Sequence, residues 1–89
     1  MAAPQNLTPD SRQILDQIEY HATTHKIGWR DLVTMLKEVS DVEESHGGGK
    51  VTVRLDNEKL VIEKPENGPV SEHTVLELRR MFKHAGWMG

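Results

Sequence analysis

The stretch KVTVRLDNEKLVIEK, residues 50–64, decides the fold. Apolar and polar residues alternate on both sides of its centre, and the inward-facing apolar set is Val51, Val53, Leu55, Leu60 and Ile62. This two-residue period is typical of a strand with one buried face. At the centre, Asp56 and Asn57 tolerate the left-handed backbone of a tight turn. The stretch therefore predicts an antiparallel hairpin with strands over residues 50–55 and 59–64.

Two helical patterns precede the hairpin. Thr8 and Pro9 mark the first start, because the hydroxyl can cap a free amide and proline needs no amide hydrogen at the first helical position. Apolar residues then recur at helical spacing and predict an amphipathic helix over residues 9–23. A second apolar face predicts a helix over residues 29–39. Since the connection between them is short, we expect the two helices to pack side by side.

Three further signals complete the order of elements. Residues 42–45 form a short candidate edge strand before the hairpin, and PENGP, residues 65–69, is a loop that neither a helix nor a sheet ladder can cross. Ser71 is placed to cap a final helix, and Gly86 to end it in a left-handed conformation. The sequence therefore predicts an α+β fold of order α-α-β-β-β-α, with a three-stranded antiparallel sheet and helices packed on one face.

Length and composition indicate one small domain. The 89 residues suffice for a single modest core, which we place in residues 8–87, with residues 1–7 as a disordered lead. No apolar run approaches the roughly 20 residues of a membrane span. The N-terminus lacks the pattern of a signal peptide, so we expect a cytoplasmic protein without a membrane partner. The chain has no cysteine, which excludes disulfides and thiolate chemistry.

The charge is mildly acidic, with a formal net value of -3. This balance is not the footprint of a strongly nucleic-acid-binding protein, which requires clustered lysine and arginine. A local basic face is nevertheless predicted, because residues 71–89 carry a small positive excess. The candidate RNA-binding residues are Lys50 and Arg54 on the central strand and Arg79, Arg80 and Lys83 in the final helix.

The histidines suggest two kinds of site. His21 and His25 are four residues apart, a spacing that can place two ligands of one metal ion on one helix face. No third ligand is evident, so we predict neither a metal site nor a cofactor. His46 lies in SHGGGKV, residues 45–51, where three glycines give the backbone freedom beside a proton-accepting side chain. This segment is not a phosphate-binding P-loop, because the Gly-Lys-Ser/Thr ending is missing.

Three segments carry a resemblance to a known family. GWRDLVTMLKEVS, VTVRLDNEKLVIEKP and SEHTVLELRRMFKHAGW are similar to the first core helix, the hairpin with its third strand, and the final helix of the HicA (YcfA-like) family of bacterial toxin-antitoxin RNases. The resemblance covers about residues 11–87. It implies a fold similar to double-stranded-RNA-binding domains, mRNA interferase activity, and both RNA and a small antitoxin-like protein as partners.

The chain departs from the family at one position. The family pattern is Gly-Ser-His-His or Gly-Gly-His, and its histidine is taken to be the base that activates an RNA 2′-hydroxyl. The matching segment here is Gly48-Gly49-Lys50. A lysine can bind phosphate as a point charge, but it is normally protonated and is a poor base. The nearest imidazole belongs to His46, beyond the glycines.

Three functions follow from these observations. The leading hypothesis is a HicA-like domain that has lost catalysis and keeps RNA or partner binding. The first alternative is an active mRNA interferase in which His46 serves as the base. The second is a protein-interaction module without a nucleic-acid role, favoured by the acidic balance and using the edge strand at residues 42–45.

Overall fold

The computed structural model describes residues 7–20, 26–47 and 49–87. Their order of elements is α1 Pro9–Tyr20, α2 Trp29–Val39, β1 Asp41–Glu44, β2 Lys50–Leu55, β3 Glu58–Glu63 and α3 Glu72–His84. The strands pair antiparallel in the order β1-β2-β3. This confirms the predicted α+β fold and its order, with β1 and β3 each beginning one residue earlier than expected. Helix α1 ends at Tyr20, and the rest of its predicted span, residues 21–23, lies outside the described residues.

The described helices pack together and cover one face of the sheet. Helix α2 contacts β1, α3 contacts β3, and α1 packs against both α2 and α3. Because side chains alternate along a strand, Val51 and Val53 enter the core while Lys50 and Arg54 lie on the opposite face. The sheet therefore has a covered face and an open face. The most deeply buried apolar side chains are Ile18, Ile27, Leu32, Met35, Leu36, Val51, Val53, Leu78 and Phe82.

The predicted helix starts and the hairpin turn are confirmed. The amide of Ser11 donates to Oγ1 of Thr8 at 3.3 Å, and the amide of Thr74 donates to Oγ of Ser71 at 3.2 Å. Each bond satisfies an amide that has no partner within its helix. In the turn between β2 and β3, Asp56 adopts a left-handed φ of 54°. An aspartate tolerates this conformation better than most residues do.

Gly86 ends α3 as predicted. Its φ is 83°, its amide donates to the carbonyl of Lys83 at 3.0 Å, and the amide of Trp87 donates to the carbonyl of Phe82 at 3.0 Å. This is the Schellman arrangement, in which a left-handed residue closes the last turn of a helix. It brings the Trp87 ring onto Phe82, with ring centroids 5.0 Å apart and planes 13° apart. The end of α3 is thereby fixed to the core.

Glu38 joins the start of α1 to the end of α2. It is exposed, as the sequence indicates, but its carboxylate accepts hydrogen bonds from the Thr8 amide at 3.1 Å, from the Thr8 hydroxyl at 3.2 Å, and from the buried Ser11 hydroxyl. These donors favour the charged form of Glu38. The Ser11 hydroxyl, followed by the Thr8 amide, lowers the pKa of the Glu38 carboxyl below its ordinary value.

Replacing Ser11 by alanine should lower the free energy of unfolding by about 1 kcal/mol at neutral pH, because one hydrogen bond to a carboxylate is lost. A carboxyl with a depressed folded pKa stabilises the fold above its unfolded pKa, and this contribution is lost as the pH falls through the folded value. The difference between Ser11→Ala and the wild type should therefore shrink below about pH 4. Urea denaturation of both proteins at neutral and acidic pH measures this difference in the free energy of unfolding.

Thr34→Ala is the matched control for this prediction. The Thr34 hydroxyl is exposed and donates to the Arg30 carbonyl within α2 at 2.9 Å, so no carboxylate is involved. We expect its effect on stability to be the same at both pH values. A Ser11→Ala effect that does not change with pH would contradict the role given to Glu38.

Candidate functional site

His46 lies in the connection between β1 and β2. The connection is closed at its base by Ser45, whose amide donates to the Lys50 carbonyl at 2.9 Å and whose hydroxyl accepts from the Lys50 amide at 3.0 Å. Gly47 has a φ of 93°, a conformation that glycine adopts without strain. Gly48 lies outside the described residues. His46 is therefore held at an exposed turn beyond the end of the strands.

The His46 side chain has no fixed orientation toward a reacting group. It makes no hydrogen bond or ion pair with any residue that the structure describes. A general base must be held within hydrogen-bond reach of the proton that it removes, usually by a second group that orients it. No described residue orients the His46 imidazole in this way.

Lys50 and Arg54 lie on the open face of the sheet, and each faces a glutamate on the neighbouring strand. Nζ of Lys50 is 3.6 Å from Oε1 of Glu63, and a guanidinium nitrogen of Arg54 is 3.2 Å from Oε2 of Glu43. Exposed ion pairs of this kind stabilise a fold little. They do offset the positive potential that a phosphate would otherwise meet on this face.

Arg79, Arg80, Lys83 and His84 surround Leu76 on the solvent side of α3, and we call this set the α3 basic surface. The five residues line a shallow groove of about 230 Å³. Arg80 and Lys83 are exposed, Arg79 is half-buried, and Leu76 is 41% exposed. The surface thus presents cations around a small apolar patch.

The arginines and the lysine of the α3 basic surface are not neutralised by neighbours. None of the three side chains makes an ion pair or hydrogen bond with a described residue, and the Nε of Arg79 is buried without a hydrogen-bond partner among them. Among the described residues, His84 is the member of this surface that makes an ion pair, with Nδ1 2.8 Å from Oε1 of Glu58, and Glu58 and Glu77 also line a groove with Arg80. From residue 78 to the end of α3 the sequence contains no acidic residue. This part of the helix therefore keeps its positive charge.

The five cations predicted to bind RNA do not form one surface. Helix α3 packs over the face of the sheet that bears Val51 and Val53, whereas Lys50 and Arg54 point away from that face. The hydrophobic core lies between the two sets. A single bound ligand on the α3 basic surface would leave the open face of the sheet untouched.

Other kinds of site find no support in the described part of the chain. No group of three or more histidine, aspartate or glutamate side chains there could hold a metal ion. His21 and His25 lie outside the described residues. Among the described helices, none combines the length and the apolar character that crossing a membrane requires.

Comparison with known proteins identifies no relative of this chain. The chain matches no family model, no curated protein and no solved structure.

Proposed function

We propose that the chain is a non-catalytic, HicA-like domain that binds RNA through the α3 basic surface. The observation that carries the proposal is the set of cations on one side of α3, Arg79, Arg80 and Lys83, whose side chains make no ion pair with a described residue. The cations on the open face of the sheet are less suited, because Glu63 and Glu43 already face them. The resemblance to an RNA-cleaving family supports RNA as the anionic partner.

The residue types suit a phosphate backbone. Arginine offers a planar fork of donors that can bind two phosphate oxygens at once, and lysine adds a point charge. Leu76 gives an apolar contact between them, which a free anion would not use but a ribose or base could. Binding of this type releases counterions, so its affinity should fall steeply as salt is added.

Loss of catalysis is supported by the hairpin between β1 and β2. Lys50 stands where the family has its base, and its amide and charge are occupied by Ser45 and Glu63. His46 has no described residue to orient it. An exposed imidazole without a partner is a weak general base, since it lacks the fixed geometry that such a role needs.

A nitrogen-15 NMR titration of the full chain with a short stem-loop RNA tests the proposal. At low salt we expect amide shifts concentrated in residues 76–84, reversal of these shifts at high salt, and RNA that stays intact. The His46→Ala variant should behave like the wild type. Shifts confined to residues 46–54, or RNA that the wild type cleaves and His46→Ala does not, would contradict it. An absence of shifts at low salt would also contradict it and would favour the protein-interaction hypothesis.

A further inference from the structure

Strand β3 lies at the edge of the sheet, and its outer backbone groups can be assigned from the pairing. The amide of Lys64 donates to the carbonyl of Gly49, so these two residues are a hydrogen-bonded pair of the antiparallel ladder. Every second pair along β2 and β3 is then also hydrogen-bonded. This places the amides and carbonyls of Leu60 and Ile62 toward β2. Those of Lys59, Val61 and Glu63 point outward, and no described residue pairs with them.

A groove follows this edge. It has a volume of about 530 Å³ and separates β3 from the first turns of α3, with Leu60 and Ile62 on the strand side and Thr74 and Glu77 on the helix side. On the open face of the same strand, Val61 is 51% exposed. The edge thus offers free backbone groups, an apolar residue and space for a neighbouring strand.

We propose that β3 pairs antiparallel with β3 of a second copy of the chain, around a twofold axis at Val61. In this register Val61 lies opposite Val61 of the second copy, and Lys59 lies opposite its Glu63. The outward residues of one strand meet the outward residues of the other, so each of these pairs can exchange both backbone hydrogen bonds. The interface is isologous and closes as a dimer.

The charges on β3 fit a second copy of the same strand. Lys59 makes no ion pair with a described residue, and its neighbour across the sheet is Arg54, which has the same charge. Glu63 of the second copy, whose Oε1 also lies 3.6 Å from Nζ of Lys50 in its own chain, would lie on the other side of Lys59 and supply the opposite charge. Because of the twofold axis, the same contact forms twice. Opposite charges directly across a strand pair stabilise the pairing, and like charges weaken it.

The other edge of the sheet is unsuited to this pairing. Strand β1 has the sequence DVEE, so pairing with itself would bring acidic side chains together in every antiparallel register. Charges on an edge strand are a common protection against such contacts. Lys37 also lies 3.4 Å from Glu44 at this edge. Self-pairing is therefore confined to β3.

The dimer would have one continuous sheet made of both meanders. A twofold axis perpendicular to the sheet keeps the helices of both copies on the same face. Leu60 of each copy would lie beside Ile62 of the other and fill part of the groove next to α3. The two α3 basic surfaces would then flank the axis on one side of the dimer.

Light scattering and register-specific cross-linking test the proposal. The full chain should elute with twice the mass of its 10.1 kDa monomer. The chain has no cysteine, so Val61→Cys adds a single thiol. At the axis the two Cα atoms would be about 5.5 Å apart, within the range for a disulfide. Lys59→Cys is the control, compared at a protein concentration at which light scattering shows both variants to be dimers, since its thiols would be about 14 Å apart along the strands. We expect Val61→Cys to cross-link at least about tenfold faster.

Charge exchange gives a second, independent readout. Lys59→Glu and Glu63→Lys should each raise the dimer dissociation constant about tenfold, because each creates two like-charge pairs across the axis. The double variant K59E/E63K restores opposite charges and should dimerise nearly as well as the wild type.

Three results would overturn the proposal. They are a chain that stays monomeric at every concentration, equal cross-linking rates for the two cysteine variants, and a double variant no better than the single ones. A monomeric chain would favour an extended segment of a different protein as the partner of the β3 edge.

Discussion

The Phe82→Ala variant should lose about 3–5 kcal/mol of its free energy of unfolding, the range for removing a buried aromatic ring. The Phe82 ring is fully buried in the cluster that joins α3 to the sheet, and it stacks on Trp87. Its removal leaves a cavity and also frees the end of α3. For a chain of this length the total stability is roughly 4–13 kcal/mol, so the loss is a substantial fraction of the total. Urea denaturation followed by far-ultraviolet circular dichroism measures the loss.

Leu76→Ala is the matched control on the same helix. Leu76 is 41% exposed, so its truncation removes little buried surface and should cost less than about 1 kcal/mol. Both variants shorten an apolar side chain within α3, and they differ mainly in burial. Equal losses in the two variants would contradict the core assigned to this helix.

The fold could be predicted because its signals are local. The alternation of Val51 and Val53, the turn at Asp56, the cap at Ser71 and the stop at Gly86 each act within a few residues. Every one of these predictions is confirmed to within one or two residues. The bounds of β1 and β3 moved by one residue because cross-strand pairing, rather than side-chain pattern, decides where a strand begins.

The contact at Glu38 could not be predicted in the same way. Its carboxylate binds Thr8 and Ser11, which are 30 and 27 residues away in the chain. Nothing in the sequence around Glu38 distinguishes it from any other glutamate on the outer side of a helix. Only the packing of α1 on α2 brings the donors to it, and that packing is a tertiary property.

The candidate site was predictable in its residue types but not in its grouping. Five cations were selected by charge alone, and the structure separates them into two sets on either side of the core. In the structure, the two-residue turn at Asp56 and Asn57 fixes the register in which Lys50 faces Glu63. Which face of the sheet α3 covers could be determined only from the structure. Leu76 belongs to the α3 basic surface.

Reversing two charges on α3 should weaken RNA binding about 100-fold. The double variant R80E/K83E removes two exposed cations that make no ion pair within the described part of the chain and places two acids where phosphates would lie. We expect the slope of log affinity against log salt to fall by roughly 1.4 in magnitude for a single strand, because two phosphate contacts are lost. Fluorescence anisotropy with a labelled RNA at several salt concentrations measures both quantities.

The double variant K50E/R54E is the matched control. It changes the net charge by the same amount but acts on the open face of the sheet, where Glu63 and Glu43 already face the substituted residues. Any effect of net charge at long range should be the same in both variants. All four substituted side chains are exposed, so circular dichroism melting curves should show that both variants remain folded.

The ratio of the two dissociation constants tests the central claim most directly. If RNA binds on the α3 basic surface, R80E/K83E should bind about 30-fold or more weakly than K50E/R54E at the same low salt concentration, with K50E/R54E within a few-fold of the wild type. Equal weakening in both variants, or a greater loss in K50E/R54E, would contradict an RNA interface on α3.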